Sequence, residues 1–272
     1  MIDYINGNKF ADSCDFVIYP NDYKMFTEDM SKKNAVIFCR PDFLNYVFTN
    51  LRNSFHKYIL VTHCSDFPID FNRFSMKPSS VKKWFAQNAA YDHKDLISIP
   101  IGLENTITEN GAVKGGSTDP LWLVENIERL KDKDKITDTL YCAWRKETNP
   151  GRGMIIDKLK NNAVKYVLYE KLGFHEHMER SSDFKFIVSP PGNGVDCHRT
   201  WEILYTGGIP IVMRNRIYEK YNLPILQVND YDEVSEDLIK EYLEFYKSHE
   251  FDYKQLEFSY WKKLIRDSFK DL

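Results

Sequence analysis

The chain of 272 residues has few cysteines, no long apolar run and no excess of one charge. Its five cysteines are scattered and form no CxxC pair, which argues against a disulfide scaffold and predicts reduced thiols in the cytoplasm. Apolar runs are all shorter than the roughly 18 residues that a membrane span needs, and the N-terminus lacks the pattern of a secretory signal. The 37 Lys+Arg and 40 Asp+Glu give a net charge of −3, which is not typical of a nucleic-acid-binding protein.

What the chain does have is enough apolar and aromatic material for a sizeable core, 43% and 15% of its residues. Its length indicates about two domains. A stretch rich in glycine and polar residues, 107–118, reads as a linker between them. We therefore expect an N-terminal lobe over residues 1–118 and a C-terminal lobe over residues 119–272, whose last helix is free to pack back on the first lobe.

Both lobes alternate short β-branched runs with longer periodic ones. In the first lobe the pattern predicts strands at 15–19, 35–39, 58–63 and 96–100, and helices at 41–51 and 79–88. In the second lobe it predicts strands at 139–144, 164–169, 184–189, 209–213 and 224–228, and helices at 120–130, 151–160, 195–205, 233–248 and 253–269. This order is typical of an α/β fold with parallel sheets, here two Rossmann-like lobes facing a central cleft.

The most informative segment spans residues 184–214 and reads FKFIVSPPGNGVDCHRTWEILYTGGIPIVMR. A buried strand stops at two prolines, a Gly-Asn-Gly turn follows, and a helix is expected to start near Val195 or Asp196. The first N–H groups of such a helix suit an anion. The planar guanidinium of Arg199 suits a diphosphate, and the carboxylate of Glu202 can accept from two sugar hydroxyls. The segment therefore predicts a nucleotide-sugar pocket at the carboxyl edge of a parallel sheet.

The same strand, turn and helix leave a second enzyme class open. A dinucleotide site would have a third glycine at position 197, where this chain has Cys197. Arg214 could nevertheless hold the 2′-phosphate of NADP. An NADP-linked reductase therefore stays as the alternative.

The string SPPGNGVDCHRTWEILYTGGIPIV closely resembles the donor-site signature of exostosin-like glycosyltransferases over about 24 residues. The segments THCSDFPID, KKWFAQNA and SIPIGLEN resemble the small soluble members of this family, including those of large algal viruses. The resemblance implies a GT-B fold, a UDP-sugar donor bound by the C-terminal lobe and inversion at the anomeric carbon. It places Arg199 on the diphosphate and Glu202 on the ribose, and it lines the donor site with Asn193, Gly194, Asp196 and His198.

The resemblance to viral members favours UDP-xylose as donor and a glycan as acceptor. A carbohydrate-binding relative that has kept the fold and lost the chemistry is a further alternative. The partners expected are thus a nucleotide-sugar donor and a carbohydrate or glycan acceptor, with no nucleic acid and no membrane span.

An inverting transfer needs a general base, and the loop after the strand at 58–63 offers the first candidates. Asp66 is the first choice and His63 the second, while Glu104 and the weaker candidate Asp70 stay open.

The diphosphate leaving group needs positive charge. Arg145 and Arg152 flank a turn after the strand at 139–144, and one or both would reach the diphosphate opposite Arg199. Two Asp-x-Asp triplets, at 132–134 and 230–232, read as a solvated surface and a helix cap. We therefore expect arginines and a helix N-terminus to carry the charge, with no metal and no cofactor.

Overall fold

The structure, a computed structural model, describes residues 2–18, 33–106 and 118–270. The chain forms two compact units. The N-terminal unit comprises Asp3–Lys114 and Lys254–Leu272, and the C-terminal unit comprises Met1–Ile2 and Gly115–Tyr253. Apart from Thr118, the predicted linker lies outside the described residues.

The N-terminal unit is a parallel sheet of five strands flanked by helices. Its strands lie side by side in the order in which they occur along the chain. They are β1 (Phe16–Ile18), β2 (Ala35–Cys39), β3 (Tyr58–Thr62), β4 (Val81–Ala86) and β5 (Leu96–Ser98). The helices are α1 (Gly7–Asp12), α2 (Leu44–Leu51) and α3 (Phe71–Ser75), and the unit also holds the last helix, numbered α9 in chain order (Phe258–Asp267).

The last helix is attached to the start of the chain by polar contacts. The backbone amide of Phe258 donates to the carbonyl of Asp3 at 3.0 Å, and the amide of Ser259 donates to the Asp3 carboxylate at 2.7 Å. Arg266 pairs with Asp15 at 2.9 Å. On its apolar face Trp261 and Ile265 are buried. The second half of the predicted helix at 253–269 is thus α9, while Tyr253–Leu256 form only a 3₁₀ turn.

The prediction of a helix at 79–88 is wrong, because this segment forms β4. It pairs with β3 on one side and β5 on the other, and every pair is parallel. Val81, Trp84 and Ala86 enter the apolar core, and Trp84 is fully buried. Ser80 does not cap a helix, since its hydroxyl donates to the carbonyl of Leu51 at 2.7 Å. Burial on both faces of the sheet decides the conformation here.

The C-terminal unit has a second parallel sheet of five strands with a different order. Its strands are β6 (Ile136–Cys142), β7 (Tyr166–Leu168), β8 (Phe184–Val188), β9 (Ile209–Met213) and β10 (Leu226–Val228). Across the sheet they run β10-β9-β8-β6-β7. Its helices are α4 (Pro120–Lys131), α5 (Ile155–Asn161), α6 (Phe174–Ser181), α7 (His198–Tyr205) and α8 (Glu236–Ser248). The chain is therefore an α/β protein with two parallel five-stranded sheets, consistent with Rossmann-like units.

Two helix starts in the C-terminal unit show how local sequence sets the boundaries. Asp119 caps α4 by accepting from the Trp122 amide at 3.0 Å, and Pro120 occupies the first turn, as predicted. The helix predicted from 233 begins later, because Ser235 is its cap. Asp230 caps only a short 3₁₀ turn and pairs with Lys158.

None of the helices in the described ranges combines the length and the apolar character that crossing a bilayer requires.

Candidate functional site

The strand order of the C-terminal unit places its candidate site. From β6 the chain moves to one edge of the sheet with β7, and from β8 it moves to the other with β9 and β10. The order of strands therefore reverses between β6 and β8, which are direct neighbours. In open α/β sheets ligands bind at the carboxyl ends of the strands that flank this switch point. The loops that follow β6 and β8 hold the candidate donor-site residues.

The loop after β8 is a tight turn around two glycines. The amide of Gly192 donates to the carbonyl of Gly194 at 3.1 Å and to the Cys197 sulfur at 3.1 Å. A Cβ on Gly192 would lie 3.4 Å from that sulfur and 3.5 Å from Nη2 of Arg152. Asn149, in the loop after β6, donates to the Gly192 carbonyl at 2.9 Å. The two loops at the switch point are therefore directly connected.

The helix that follows this loop, α7, begins at His198 rather than at the predicted 195 or 196. Asp196 is held outside the helix because its carboxylate accepts from the indole N–H of Trp201 at 2.7 Å. Cys197 is the N-cap residue and makes no side-chain capping bond. Because no side chain caps the first turn, the amide dipoles at the start of α7 suit an anion.

Arg199 lies in this first turn and is half-buried. Over the described ranges its guanidinium makes no hydrogen bond and no ion pair. Its charge acts on neighbouring groups. Together with burial, which is the larger cause, it lowers the pKa of Arg152 and lowers that of His177 to about 3. A partly buried cation without a counter-charge is the arrangement expected of an anion-binding residue.

Arg152 is nearly buried and holds the loops at the switch point together, while its predicted contact with the diphosphate stays a prediction. Its side chain is 5% exposed. It donates to the carbonyls of Pro191 at 2.8 Å, Arg145 at 3.0 Å and Pro190 at 3.1 Å. These bonds join the end of β6 to the end of β8. The side chain of Arg145 is exposed, and it makes no hydrogen bond or ion pair to any described residue. Of the two candidates, Arg145 is therefore the one whose guanidinium has no other commitment among the described residues.

The other predicted donor-site residues fall into two groups. Asp196 is 2% exposed and paired with buried Trp201, so it positions the loop and does not line a pocket as expected. Gly194 is buried and shapes the turn. Asn193 is exposed, His198 is half-buried and Glu202 is 7% exposed on α7. The structure thus brings Asn193, His198, Arg199 and Glu202 onto one short stretch at the switch point.

Sequence reasoning missed a hydrogen-bonded chain that holds this stretch from behind. Ser189 and Thr200 lie 3.0 Å apart through their hydroxyls, and Thr200 lies 3.3 Å from the hydroxyl of Tyr218. Tyr218 in turn donates to the Val195 carbonyl at 3.0 Å. Asn149 was missed as well, although its position before Pro150 and Gly151 is a turn signal. The loop is therefore held in place before any ligand arrives.

In the N-terminal unit, the structure separates the two first candidates for the base. His63 is 1% exposed, and its Nε2 lies 3.1 Å from the carbonyl of Pro100. A carbonyl only accepts, so Nε2 carries the proton and Nδ1 is the acceptor. That acceptor is taken by the amide of Cys64 at 2.8 Å. With both nitrogens engaged, His63 positions the loop after β3 and is not placed to take a proton.

Asp66 is exposed on the same loop and has no hydrogen bond or ion pair within the described part of the chain. Asp70 is the N-cap of α3, where its carboxylate accepts from the amide of Arg73 at 2.9 Å. Glu104 is half-buried and accepts from the amide of Asn105 at 3.1 Å. Asp66 is thus the carboxylate with the fewest other commitments.

Across residues 2–18, 33–106 and 118–270, no three side chains of the metal-binding types gather closely enough to hold an ion. The metal independence of the reaction stays a prediction.

Comparison with known proteins adds no family. No protein-family model matches the chain, and no curated protein matches its sequence. The functional assignment therefore depends on the residues described above and on the resemblance of the motif at 189–212.

Proposed function

We propose that the chain is an inverting glycosyltransferase of the GT-B type, acting in the cytoplasm, which moves a sugar from a UDP-sugar to a hydroxyl of a glycan acceptor. In this proposal the C-terminal unit binds the donor at the switch point between β6 and β8. The N-terminal unit supplies the acceptor side and the base. UDP-xylose is the first donor to test, and the reaction is proposed to need no metal. The five free thiols fit a reducing compartment.

The observation that carries the proposal is the guanidinium of Arg199 in the first turn of α7, which pairs with no residue in the described part of the chain. A diphosphate would meet there a fixed cation, the dipole of an uncapped helix start and the backbone of a glycine turn. Exposed Arg145, from the loop after β6, adds a second cation. Glu202 follows Arg199 by three positions on the same helix, so the two side chains share one face and Glu202 can meet the ribose hydroxyls.

The proposed chemistry needs a general base for the acceptor hydroxyl and positive charge that stabilises the leaving diphosphate. The acceptor hydroxyl gives its proton to the Asp66 carboxylate while its oxygen forms a bond to the anomeric carbon. The bond from that carbon to the β-phosphate oxygen breaks, and its electron pair leaves with UDP. Attack from the face opposite UDP inverts the configuration. Negative charge grows on the diphosphate in the transition state, where Arg199 and Arg145 stabilise it.

The experiment that tests this function is a UDP-release screen over UDP- and GDP-sugars with simple glycoside acceptors, with and without EDTA. We expect release from one UDP-sugar, unaffected by EDTA, and loss of UDP binding in Arg199→Ala by calorimetry. The matched control is Arg214→Ala, since Arg214 is exposed and its guanidinium already donates to Oδ1 of Asn229 at 3.0 Å. Absence of UDP binding by the wild-type protein would overturn the proposal.

The same binding and release measurements distinguish the proposed glycosyltransferase from the two alternative functions. An NADP-linked reductase needs Arg214 for the 2′-phosphate, yet Arg214 is already bonded to Asn229 and lies 3.9 Å from Glu219. Binding of NADPH without binding of UDP would favour that class. UDP binding without UDP release from any sugar would favour a carbohydrate-binding relative that has lost the chemistry.

A further inference from the structure

The loops after β3 and β4 share an unusual backbone. Cys64 follows the end of β3 by two residues and has φ 62°, and Asn88 follows the end of β4 by two residues and has φ 55°. The two strands are parallel neighbours, so the loops leave the same edge of the sheet. The left-handed region is unfavourable for residues other than glycine and, to a lesser degree, asparagine. A cysteine held there indicates that the surroundings impose the conformation.

Hydrogen bonds between the loops impose it. The amide of Cys64 donates both to Nδ1 of His63 at 2.8 Å and to Oε1 of Gln87 at 2.9 Å. Asn88 donates from its side chain to the carbonyl of Ser65 at 3.2 Å. Residues 63–65 and 87–88 therefore form one connected cluster, which we call the strand-end cluster.

A third element presses on this cluster. A Cβ at Gly7, the first residue of α1, would lie 2.3 Å from the Cys64 sulfur and 2.8 Å from Nδ1 of His63. Asn105 accepts from the amide of Asn8 at 3.0 Å and donates to the Cys64 sulfur at 3.4 Å. The cluster is thus fixed from two sides by α1 and by the chain after β5.

One buried donor in the strand-end cluster has no acceptor among the described residues. Gln87 is 2% exposed, and its Nε2 has no hydrogen-bond partner among the described residues. Its orientation is fixed, because a flipped carboxamide would bring the NH₂ group of Gln87 against the N–H of Cys64, a contact between two donors. A buried N–H group without an acceptor costs stability, so a well-held one points to a ligand that supplies the acceptor.

The charges around this donor indicate the class of ligand. Asp66 follows Cys64 by two residues and Glu104 directly precedes Asn105, so both add negative charge along the segments of the cluster, which disfavours an anion. His63 offers no proton acceptor, and Gln87, Asn88 and Asn105 are neutral amides. A hydroxyl group both accepts and donates, so an amide donor beside a carboxylate suits a hydroxyl.

We propose that the strand-end cluster binds a neutral, hydroxyl-rich ligand, with Nε2 of Gln87 donating to a ligand oxygen directly or through one ordered water. The assignment of that ligand as the acceptor sugar rests on the proposed glycosyltransferase function. The binding site itself does not.

The test follows the side-chain amide of Gln87 by two-dimensional ¹H–¹⁵N NMR of the whole chain. The probes are methyl glycosides of xylose, glucose, galactose, mannose and fucose at millimolar concentration. We expect at least one glycoside to shift the Gln87 NH₂ signal saturably. That signal is assigned by its loss in Gln87→Glu, which keeps an acceptor for the Cys64 amide, removes the NH₂ donor and adds a negative charge. Glycoside affinity in this variant should fall about tenfold.

Gln227→Glu is the matched control. Gln227 lies in the C-terminal unit, and its Oε1 likewise accepts a backbone amide, that of Asn215 at 3.2 Å. This variant should bind glycosides as the wild type does. If Gln87→Glu does not fold, Gln87→Met replaces it, since the Cys64 amide still has Nδ1 of His63 as acceptor.

Two outcomes overturn the inference: no glycoside shifts the Gln87 signal, or the Gln87 variants bind glycosides with unchanged affinity. UDP binding is measured on the same samples and should not change in the Gln87 variants. If the protein does not bind UDP but a glycoside shifts the Gln87 signal saturably, the glycosyltransferase proposal is rejected and the glycoside site is retained. UDP binding without any shift removes the site and leaves the glycosyltransferase.

Discussion

The two units solve the same structural problem with different chemistry at the carboxyl edge of a parallel sheet. In each, one buried basic side chain holds a loop, His63 in the N-terminal unit and Arg152 in the C-terminal unit. In each, a neighbouring polar group has no partner among the described residues. That group is the neutral NH₂ (Nε2) of Gln87 in one unit and the guanidinium of Arg199 in the other.

The difference between the edges follows from strand order and loop composition. The N-terminal sheet runs in chain order, whereas the C-terminal sheet reverses between β6 and β8. At this reversal the loops after β6 and β8 are connected by hydrogen bonds from Asn149 to the glycine turn and from Arg152 to Pro190. Because one edge carries a free cation and the other amides with carboxylates, the comparison indicates an anionic ligand for one unit and a hydroxyl-rich ligand for the other.

The largest effect is expected from removing the residue that holds the C-terminal loops. Arg152→Met leaves the carbonyls of Pro190, Pro191 and Arg145 without their donor, so the free energy of unfolding should fall by about 2–4 kcal/mol. Arg145→Met should change it by less than about 0.5 kcal/mol, since that side chain is exposed. Urea denaturation measures both. Equal stability losses in the two variants would mean that the roles of the arginines are not divided as described.

Removing the free cation should affect binding and leave stability nearly unchanged. Arg199→Ala loses a charge-assisted, two-point contact with the diphosphate, so UDP affinity should fall about 30- to 150-fold, or about 2–3 kcal/mol. The melting temperature should stay close to that of the wild type, because the guanidinium has no partner within the described ranges to lose. Calorimetry with UDP, with Arg214→Ala as control, gives the comparison. Retained affinity in Arg199→Ala would show that the cation at this edge is not the anion site.

A single added methyl group at Gly7 should disturb the packing of α1 against the strand-end cluster. Gly7→Ala puts a Cβ 2.3 Å from the Cys64 sulfur, so α1 or the strand-end cluster must shift, at a cost of about 1–3 kcal/mol in unfolding free energy. Gly173→Ala is the matched control, because a Cβ at Gly173 meets nothing within 4 Å. If both alanine variants unfold at the same denaturant concentration, the close contact of α1 with the cluster is not real.

The smallest effect is the share of the Arg199 charge in a pH dependence of stability that comes mainly from the burial of His177. Nδ1 of His177 lies 2.9 Å from the hydroxyl of Tyr141, and burial, followed by the charge of Arg199, lowers the pKa of His177 to about 3. The unfolded chain takes up this proton below pH 6.5 and the folded chain does not. Stability is therefore complete above pH 6.5 and falls by about 1.4 kcal/mol per pH unit as pH drops towards 3.

Denaturation at several pH values checks this slope against His177→Gln, which cannot take up the proton. Below pH 6.5 the wild type should lose stability faster than the variant by the stated amount. In Arg199→Ala the pKa of His177 should rise, so the slope should end at a higher pH. Parallel curves for the wild type and His177→Gln would contradict the placement of His177.

Much of the fold could be predicted where one short segment carries its own signal. The run Ile-Pro-Ile-Val-Met forms β9 as predicted, and Asp119 followed by Pro120 marked the start of α4. The segment of β4 failed because Val81, Trp84 and Phe85 fit either a helical face or a buried strand. Only pairing with β3 and β5 decides between the two. Short helices such as α1 and α6 were missed, since tertiary contacts stabilise them more than propensity does.

The candidate site divides in the same way. The sequence placed Arg199 and the glycine turn correctly on one strand-turn-helix unit, because they are neighbours along the chain. It could not separate Arg145 from Arg152, or Asp66 from His63. Those distinctions depend on carbonyls of Pro190, Pro191 and Pro100 that lie far away in sequence. The unpaired amide of Gln87 has no sequence signal at all.

The central claim is that the first turn of α7 binds the diphosphate of a nucleotide-sugar, and a crystal structure of the chain with UDP tests it most directly. The account predicts both phosphates at the start of α7, within hydrogen-bond distance of the Arg199 guanidinium and beside the turn at Gly192. A nucleotide bound elsewhere, with Arg199 still unpaired, would contradict it.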